Sequence, residues 1–590
     1  MCKKKIFLIS ITQPSTIHTM SSADFTKTLV VDDRIANLTD SLDYAVIKGG
    51  ANITSASYTA QSATNSSHTY SVQVPSEMTV IGREVMWSST IQFKITGTPA
   101  NAQYLVDYGN TEAFAPFLLN QMVETLSSTI NNNTVSMNVK DMIAPLLRLH
   151  DSRDLNRYNG LTPTMVDTYK NYADAVQKSN NPLGSYGITN DNDNLPRGAF
   201  AIETITGNTV GDGATAKTVF ITVKITEPLL SSPWLFANPS ENNQGIYGVQ
   251  NLSFQMNLDQ SCKRVWRTSR SFTDLNVTVN AWSDSKLTFT YLTPHPSSLL
   301  PSRNVCPYYN LERFIYNQYN SVSFGQTSTL QSPTLQLNSV PDKIYLVVRK
   351  RMTTQSYIDT DSFMAIEGIS INFNNSSGLG SSFTQQDLYK ISVKNGVNLS
   401  WQEFSGKANG GMVTGEITRV PTTGSVLCLA FGTDIQLSEE YLAQGSLGSY
   451  QLSIKVDVRN QHVSAGTNDV NNFIPELMII TQTSGVMVLE KGTCSTYLGL
   501  LTKSDVLEAS TQQPKSVSAV KRLVGGGFFD NLKSVAGKAI ASPLAQMALP
   551  LASNFAKEKL ATMGTKGAIA KAGLEALGYG HKGGLQNRLH

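Results

Sequence analysis

Apolar residues at every second position recur through most of this chain, and that alternation limits its fold more than any other feature. Val72 and Val74; Ile91, Phe93 and Ile95; and Val219, Ile221, Val223 and Ile225 each put apolar side chains on one face of an extended segment. Leu287, Phe289 and Tyr291 repeat the pattern, as do Ile369, Ile371 and Phe373, and then Leu452, Ile454, Val456 and Val458. Residues 344–348 are apolar without a break, as in a strand covered on both faces. Many short strands separated by turn residues predict an all-β protein of sandwiches or barrels.

The strands fall into two series, about 70–292 and 309–500. Between them Pro294, Pro296 and Pro301 impose an extended path, so the domain boundary is expected there. The predicted organisation is an N-terminal arm (1–23), a first β-domain (24–292), a linker (293–303), a second β-domain (304–502), a second linker (503–526) and a tail (527–590). Helical spacing over 113–128, 139–149 and 164–177 predicts a helical insertion in the first domain, about 101–197; Met122, Leu126 and Ile130, for example, fall four apart. A shorter helix is expected at 384–393.

Charge and cysteine content exclude several classes. The 590 residues carry a net charge of +3 and only 15% charged side chains, so the whole chain does not read as a nucleic-acid binder. Cys2, Cys262, Cys306, Cys428 and Cys494 are odd in number and far apart, which fits free thiols better than a disulfide scaffold or a zinc module. The start, MCKKKIFLISIT, has a short apolar run followed by Gln13-Pro14 and no small-residue cleavage pattern. Residues 1–19 are therefore expected to be neither a secretion signal nor part of a core, and Met20 offers an alternative start.

Catalytic patterns are scarce. No two histidines have HxxH or HxxxH spacing, and neither a GxSxG elbow nor a phosphate-binding GxxxxGK[ST] loop occurs. Asp361, Glu367, Asp387, Glu439 and Glu440 could pair as glycosidase carboxylates only if the fold brought them together; each is expected to be solvated or in a loop. Cys428, inside an apolar run, reads as a core thiol. Arg349-Lys350-Arg351 reads as a solvated strand end, with contact to an acidic partner as the functional alternative. No cofactor or metal is expected.

At Leu523-Val524-Gly525-Gly526-Gly527 the composition changes abruptly. The residues from Gly527 onward have a net charge of +5, which leaves −2 for the rest of the chain. Wound as a helix, Phe528, Leu532, Val535 and Ile540 line one side and Lys533 and Lys538 the other, with Phe529 beside the start. That basic amphipathic pattern suits a membrane interface, or else a helix docked on the body.

The stretch Tyr309-Asn310-Leu311-Glu312-Arg313, continuing through SVSFGQTSTLQSPTLQLNSVPDKIYLVVRKRM, resembles the second domain of double jelly-roll major capsid proteins, among them those of Polinton-like viruses, adintoviruses and virophages. Val74-Pro75-Ser76 and Val85-Met86-Trp87-Ser88-Ser89 match the family's opening strands more loosely. The resemblance covers about 24–502 and implies two consecutive eight-stranded jelly rolls, no catalysis, homotrimers of pseudo-hexameric outline in an icosahedral shell, and minor capsid or penton proteins as neighbours. Leu523, Gly525, Gly526 and Gly527 are similar to the cleavage sequence of adenovirus-type cysteine proteases, and the following segment is similar to membrane-lytic segments of adenovirus-type internal capsid proteins. The tail is thus expected to meet a viral cysteine protease and a membrane, or, uncut, packaged nucleic acid. The alternative reading of the chain is a β-rich carbohydrate-binding or adhesive surface protein.

Overall fold

The computed structural model describes most of residues 51–151, 202–235, 245–294, 303–437, 443–461 and 472–499, with isolated positions elsewhere. The N-terminal arm and the tail, with every tail residue named above, lie outside the described residues, as do Glu439, Glu440 and Cys2.

The first half contains β1 (Ala51–Thr59), β2 (Ser62–Ala63), β3 (Ser67–Gln73), β4 (Met86–Gly97), β5 (Val123–Ile130), β6 (Asn133–Met137), β7 (Ile202–Thr206), β8 (Lys217–Pro228), β9 (Asn251–Leu258) and β10 (Asn276–Pro294). One sheet has the order β6-β5-β9-β3-β2. The other has the order β7-β8-β4-β10-β1, with Val80–Ile81 also pairing to β10. Alternation decides what faces inward: along β9, Leu252, Phe254, Met256 and Leu258 are buried, while Asn251, Ser253, Gln255 and Asn257 are exposed. Trp87, Phe93, Ile221, Phe289 and the facing Tyr70 and Phe254 fill the space between the sheets.

The second half repeats the design with β11 (Arg303–Tyr316), β12 (Thr327–Gln331), β13 (Leu335–Ser339), β14 (Lys343–Lys350), β15 (Ala365–Phe373), β16 (Ser376–Leu379), β17 (Leu427–Ala430), β18 (Leu447–Arg459), β19 (Pro475–Glu490) and β20 (Thr493–Leu498). Its sheets have the orders β11-β19-β14-β17, with β20 on β19, and β12-β18-β15-β16, with β13 on β18. The unbroken apolar run lies in β14, where every residue after Lys343 is buried. Among the described residues no ladder joins the sheets of one half to those of the other. The buried apolar side chains of both halves nevertheless form one continuous core.

Two helical expectations meet different outcomes. Val139–Leu147 is a helix (α2) after a short one at Leu118–Met122 (α1). Residues 123–128 are strand instead, and β5 and β6 belong to a main sheet rather than to an insertion. A spacing of four satisfies period two as well as period 3.6. The sequence Thr-Leu-Ser-Ser-Thr-Ile, rich in β-branched and hydroxyl side chains, settles on the strand. The third expected helix, 164–177, lies outside the described residues apart from Val166 and Asp167.

Gln385–Lys394 is a helix (α3). Thr384 accepts a bond from the Asp387 amide, and the Asp387 carboxylate accepts one from the Thr384 amide, a reciprocal cap. α3 packs on β17 and β15, with Leu388 and Ser392 buried. Thr384→Ala is expected to cost about 1 kcal/mol of stability. Urea unfolding checks this, and a change below about 0.3 kcal/mol would show that the cap contributes little.

Candidate functional site: the junction between the two halves

The junction is built from charged side chains that each half lends to the other. α2 presents Asp141 from the first half. Its Oδ1 lies 2.7 Å from Arg349 Nη2 and its Oδ2 2.8 Å from Arg313 Nε, both in the second half. Arg349, at the end of β14, also donates from Nε to Glu476 Oε1 at 2.7 Å. With Arg349 only 6% exposed and Lys350 buried beside it, the first two residues of the basic triplet are no solvated strand end. The acids it meets lie within the same chain: Lys350 pairs with Asp359 at 3.0 Å. Arg349 is carried inward because the end of β14 meets α2 of the first half, while Lys350, on the opposite face of the strand, is held by Asp359 within the second half.

The exchange runs the other way at Asp361, in the loop after β14. Its Oδ1 lies 3.0 Å from Arg264 Nη2 and 3.5 Å from Arg267 Nη2, and its Oδ2 accepts from Gln121 Nε2 at 2.9 Å. Arg148, which ends α2, donates to the Asp361 carbonyl oxygen at 2.6 Å and to the Asp167 carbonyl at 3.1 Å. Tyr357 of the same loop takes a bond from the Val277 amide on its hydroxyl, and its carbonyl accepts from the Thr268 amide. One anchor loop of the second half is thus plugged into a guanidinium-lined socket of the first.

The electrostatics follow from the pairing. Burial alone would raise the Asp361 carboxyl, but Arg264, Arg267 and Arg148 outweigh it and hold the group well below the usual carboxylate range. Asp141 is likewise desolvated, yet Arg349 and Arg313 hold it low. Carboxylates kept ionised in this way are unsuited to general acid work, which needs a raised value. Of the other candidate carboxylates, Glu367 pairs with Arg459 and Asp387 caps α3. Among the described residues, Asp361, Glu367 and Asp387 do not meet one another as a glycosidase pair. Cys428 is buried, and its thiol is pushed up to about 12 by desolvation, as a core thiol should be. The other described cysteines, Cys262, Cys306 and Cys494, are free and buried too.

Two further buried groups sit inside the first half. Glu227, at the end of β8, accepts on Oε2 from the amides of Leu119 (3.0 Å) and Asn120 (3.3 Å) and from Asn120 Nδ2 (3.1 Å). Burial outweighs these donors and pushes its pKa up to about 8. His68 Nδ1 lies 3.2 Å from Ser285 Oγ, and its ring meets Trp282 edge-on at 4.4 Å. Burial pulls its pKa down to about 4. Among the described residues, no group of three or more His, Cys, Asp or Glu is placed to hold a metal ion.

Sequence reasoning missed Asp141, Arg148, Arg264 and Arg267. The available signal was an arginine inside an apolar run, Pro145-Leu146-Leu147-Arg148-Leu149, and the cluster Lys263-Arg264-Val265-Trp266-Arg267. The quoted motif around Pro341 has a structural task. The Asp342 amide donates to Gln482 O at 2.8 Å, its carbonyl accepts from Phe431 N at 3.1 Å, and Ser484 donates to its carboxylate, which fastens the turn from β13 to β14.

The two-domain fold is shared with known proteins. The family model for the first domain of the Sputnik virophage major capsid protein matches residues 23–293, and the model for the C-terminal domain of the major capsid protein V20 matches residues 311–485. The chain belongs to the virophage-type double jelly-roll major capsid proteins. A putative capsid protein V20 of the Sputnik virophage is 27% identical over 528 residues, 86% of each chain. The cryo-EM structure of the Sputnik virophage contains a chain with TM-score 0.70 and 25% identity, covering 84% of this capsid protein and 98% of that chain. The mavirus major capsid protein shares the fold at TM-score 0.61 and 14% identity, over 86% and 99%. Each sandwich described above is thus a jelly roll, and this capsid protein belongs in the virion.

Proposed function

We propose that this capsid protein assembles as homotrimers of pseudo-hexameric outline, which tile an icosahedral shell beside minor capsid or penton proteins. Residues 24–292 and 304–502 are the two rolls, joined by 293–303. The role is structural, with no catalytic step and no cofactor. The observation that carries the reading is the crossed charge exchange over one continuous core, which makes two jelly rolls a single building unit. Three such units offer six rolls to a ring, and specific contacts between copies need roughly 1,000 Å² or more. Electron microscopy of the purified chain should show pseudo-hexagonal trimers. A stable monomer at micromolar concentration by light scattering would overturn the trimer.

For the tail, the reading is cleavage after Gly526 by a viral cysteine protease, followed by action of the 527–541 segment on a membrane. The support is the sequence alone: the glycine joint, the Leu523-Val524-Gly525-Gly526 pattern, and a basic amphipathic stretch that starts with two phenylalanines. Burial of Phe528, Phe529, Leu532, Val535 and Ile540 in an interface would supply on the order of 5–10 kcal/mol before ordering costs. Mass spectrometry of virions should find chains ending at Gly526. A synthetic 527–560 peptide should leak vesicles, and its Phe528→Ser, Leu532→Ser version should not. Intact vesicles together with only full-length chain in virions would instead assign the tail to packaged nucleic acid.

A further inference from the structure

The outward faces of the two rolls differ in one respect. On the second roll, the sheet around β18 shows the solvent a mixture of charges: Lys455 and Asp457 alternate along β18, and Arg459 pairs with Glu367 of β15. On the first roll, the equivalent exposed face of β6-β5-β9-β3-β2 has none on its outward register positions. One transverse row reads Thr134, Thr129, Ser253 and Ser71 across four strands. The next is tied by side-chain bonds, Ser127 to Ser136 at 2.8 Å, and continues through Gln255 and Thr69. Glu124, at the bulge where β5 begins, is the single charge on these strands and lies at the rim.

Solvated surfaces normally intersperse charges of both signs, as the second roll does here, and charge is depleted at the centres of protein interfaces. Strands spaced about 4.8 Å apart and rising about 3.4 Å per residue make this face roughly 500 Å², more than half of the ~800 Å² per partner in a standard interface. Hydroxyls and amides already satisfied in cross-strand pairs, such as Thr129 with Thr134 at 2.9 Å, are cheaper to desolvate than ions. No outward side chain in the two rows is aromatic, so the face lacks the ring that would stack on a sugar.

We propose that the uncharged face of β6-β5-β9-β3-β2 is a contact surface between copies of this capsid protein. The inference rests on the shell-subunit reading and deepens it by naming the surface. Charge placed at its centre, at side chains exposed in the single chain, blocks association without disturbing the roll.

The test uses the full chain with Ser253→Lys and Gln255→Lys together, and Thr134→Lys as an independent second variant. Gln336→Lys with Asn338→Lys, exposed on β13 of the second roll, is the comparison. Shell or capsomer yield by light scattering and electron microscopy should fall at least tenfold for the first-roll variants at unchanged melting temperature, and stay within twofold for the comparison. Yields within twofold of the parent for both first-roll variants overturn the inference, and so does equal loss in the comparison. Unchanged assembly with a lowered melting temperature assigns the face to another segment of the same chain. Unchanged assembly with lost retention on a neutral glycan resin assigns it to carbohydrate. Either outcome also overturns it. A parent chain that forms neither capsomers nor shells refutes the shell-subunit reading itself, which keeps the two failures apart.

Discussion

Asp361→Asn is expected to destabilise the protein by about 3–5 kcal/mol, because it removes the nearer carboxylate from Arg264 and Arg267 and leaves the more distant Asp167, 3.8 Å from Arg267, to offset the buried guanidinium groups, Arg148 included. Asparagine preserves the shape and can still accept from Arg264, so the loss measures charge rather than packing. The intact network is not thereby a large net stabiliser, since desolvating its ions offsets much of their attraction. Replacing the carboxylate and its neighbours by apolar side chains of similar volume should therefore recover part of the loss. Urea unfolding of the single variant and of Asp361→Leu with Arg264→Met and Arg267→Met, which leaves Arg148 with Asp167, separates these effects. A single-variant loss below about 1 kcal/mol would mean that the socket is open to water.

Stability should also fall toward both ends of the pH scale, through two different residues of the first roll. His68 has its folded pKa lowered from 6.5 to about 4. Its neutral form is favoured in the fold, so its contribution is complete above 6.5 and is lost as pH falls toward 4, about 2–3 kcal/mol between pH 7 and 4.5. Glu227 has its folded pKa raised from 4.5 to about 8. Its contribution is complete below 4.5 and is lost as pH rises to 8, about 3 kcal/mol between pH 5 and 8. The junction carboxylates Asp141 and Asp361 are depressed, so their contribution fails only below their ordinary range near 3.8. Glu227→Gln should flatten the alkaline limb and His68→Gln the acid limb. Parallel profiles for parent and Glu227→Gln from pH 5 to 8 would show that the carboxyl is ionised in the fold after all.

Strands were legible wherever one face is buried and the other wet, because alternation is then written in residue type. β8, with Val219, Ile221, Val223 and Ile225 inward, is such a case. Residues 123–130 were harder to place, since the spacing of Met122, Leu126 and Ile130 satisfies both periods, and the strand preference of Thr125–Ile130 is realised only through the pairing of β5 with β9 and β6. The helix at 384–393 was legible from its spacing, while its reciprocal cap between Thr384 and Asp387 is known only from the structure. The junction was not: Asp141 and Arg349 are separated by 208 positions, and nothing local marks a charged residue for burial until the fold supplies its counter-ion. Arg349-Lys350-Arg351 consequently looked like a solvated end, whereas Arg349 and Lys350 are among the more deeply placed cations of the second roll.

The crossed exchange at the junction has a consequence for inheritance. Asp141 is encoded upstream of the linker and answers to Arg313 and Arg349 downstream, while Asp361 downstream answers to Arg148, Arg264 and Arg267 upstream. A genetic crossover near residue 300 between two diverged strains would join halves whose charges were tuned to other partners. A single mismatch would strand a buried ion at a cost of about 3–5 kcal/mol, a large part of a domain's net stability. Natural recombinants should therefore keep both halves from one parent, with crossovers displaced to the ends of the gene, and a laboratory chimera spliced at the linker should recover only when both members of each pair are carried across together.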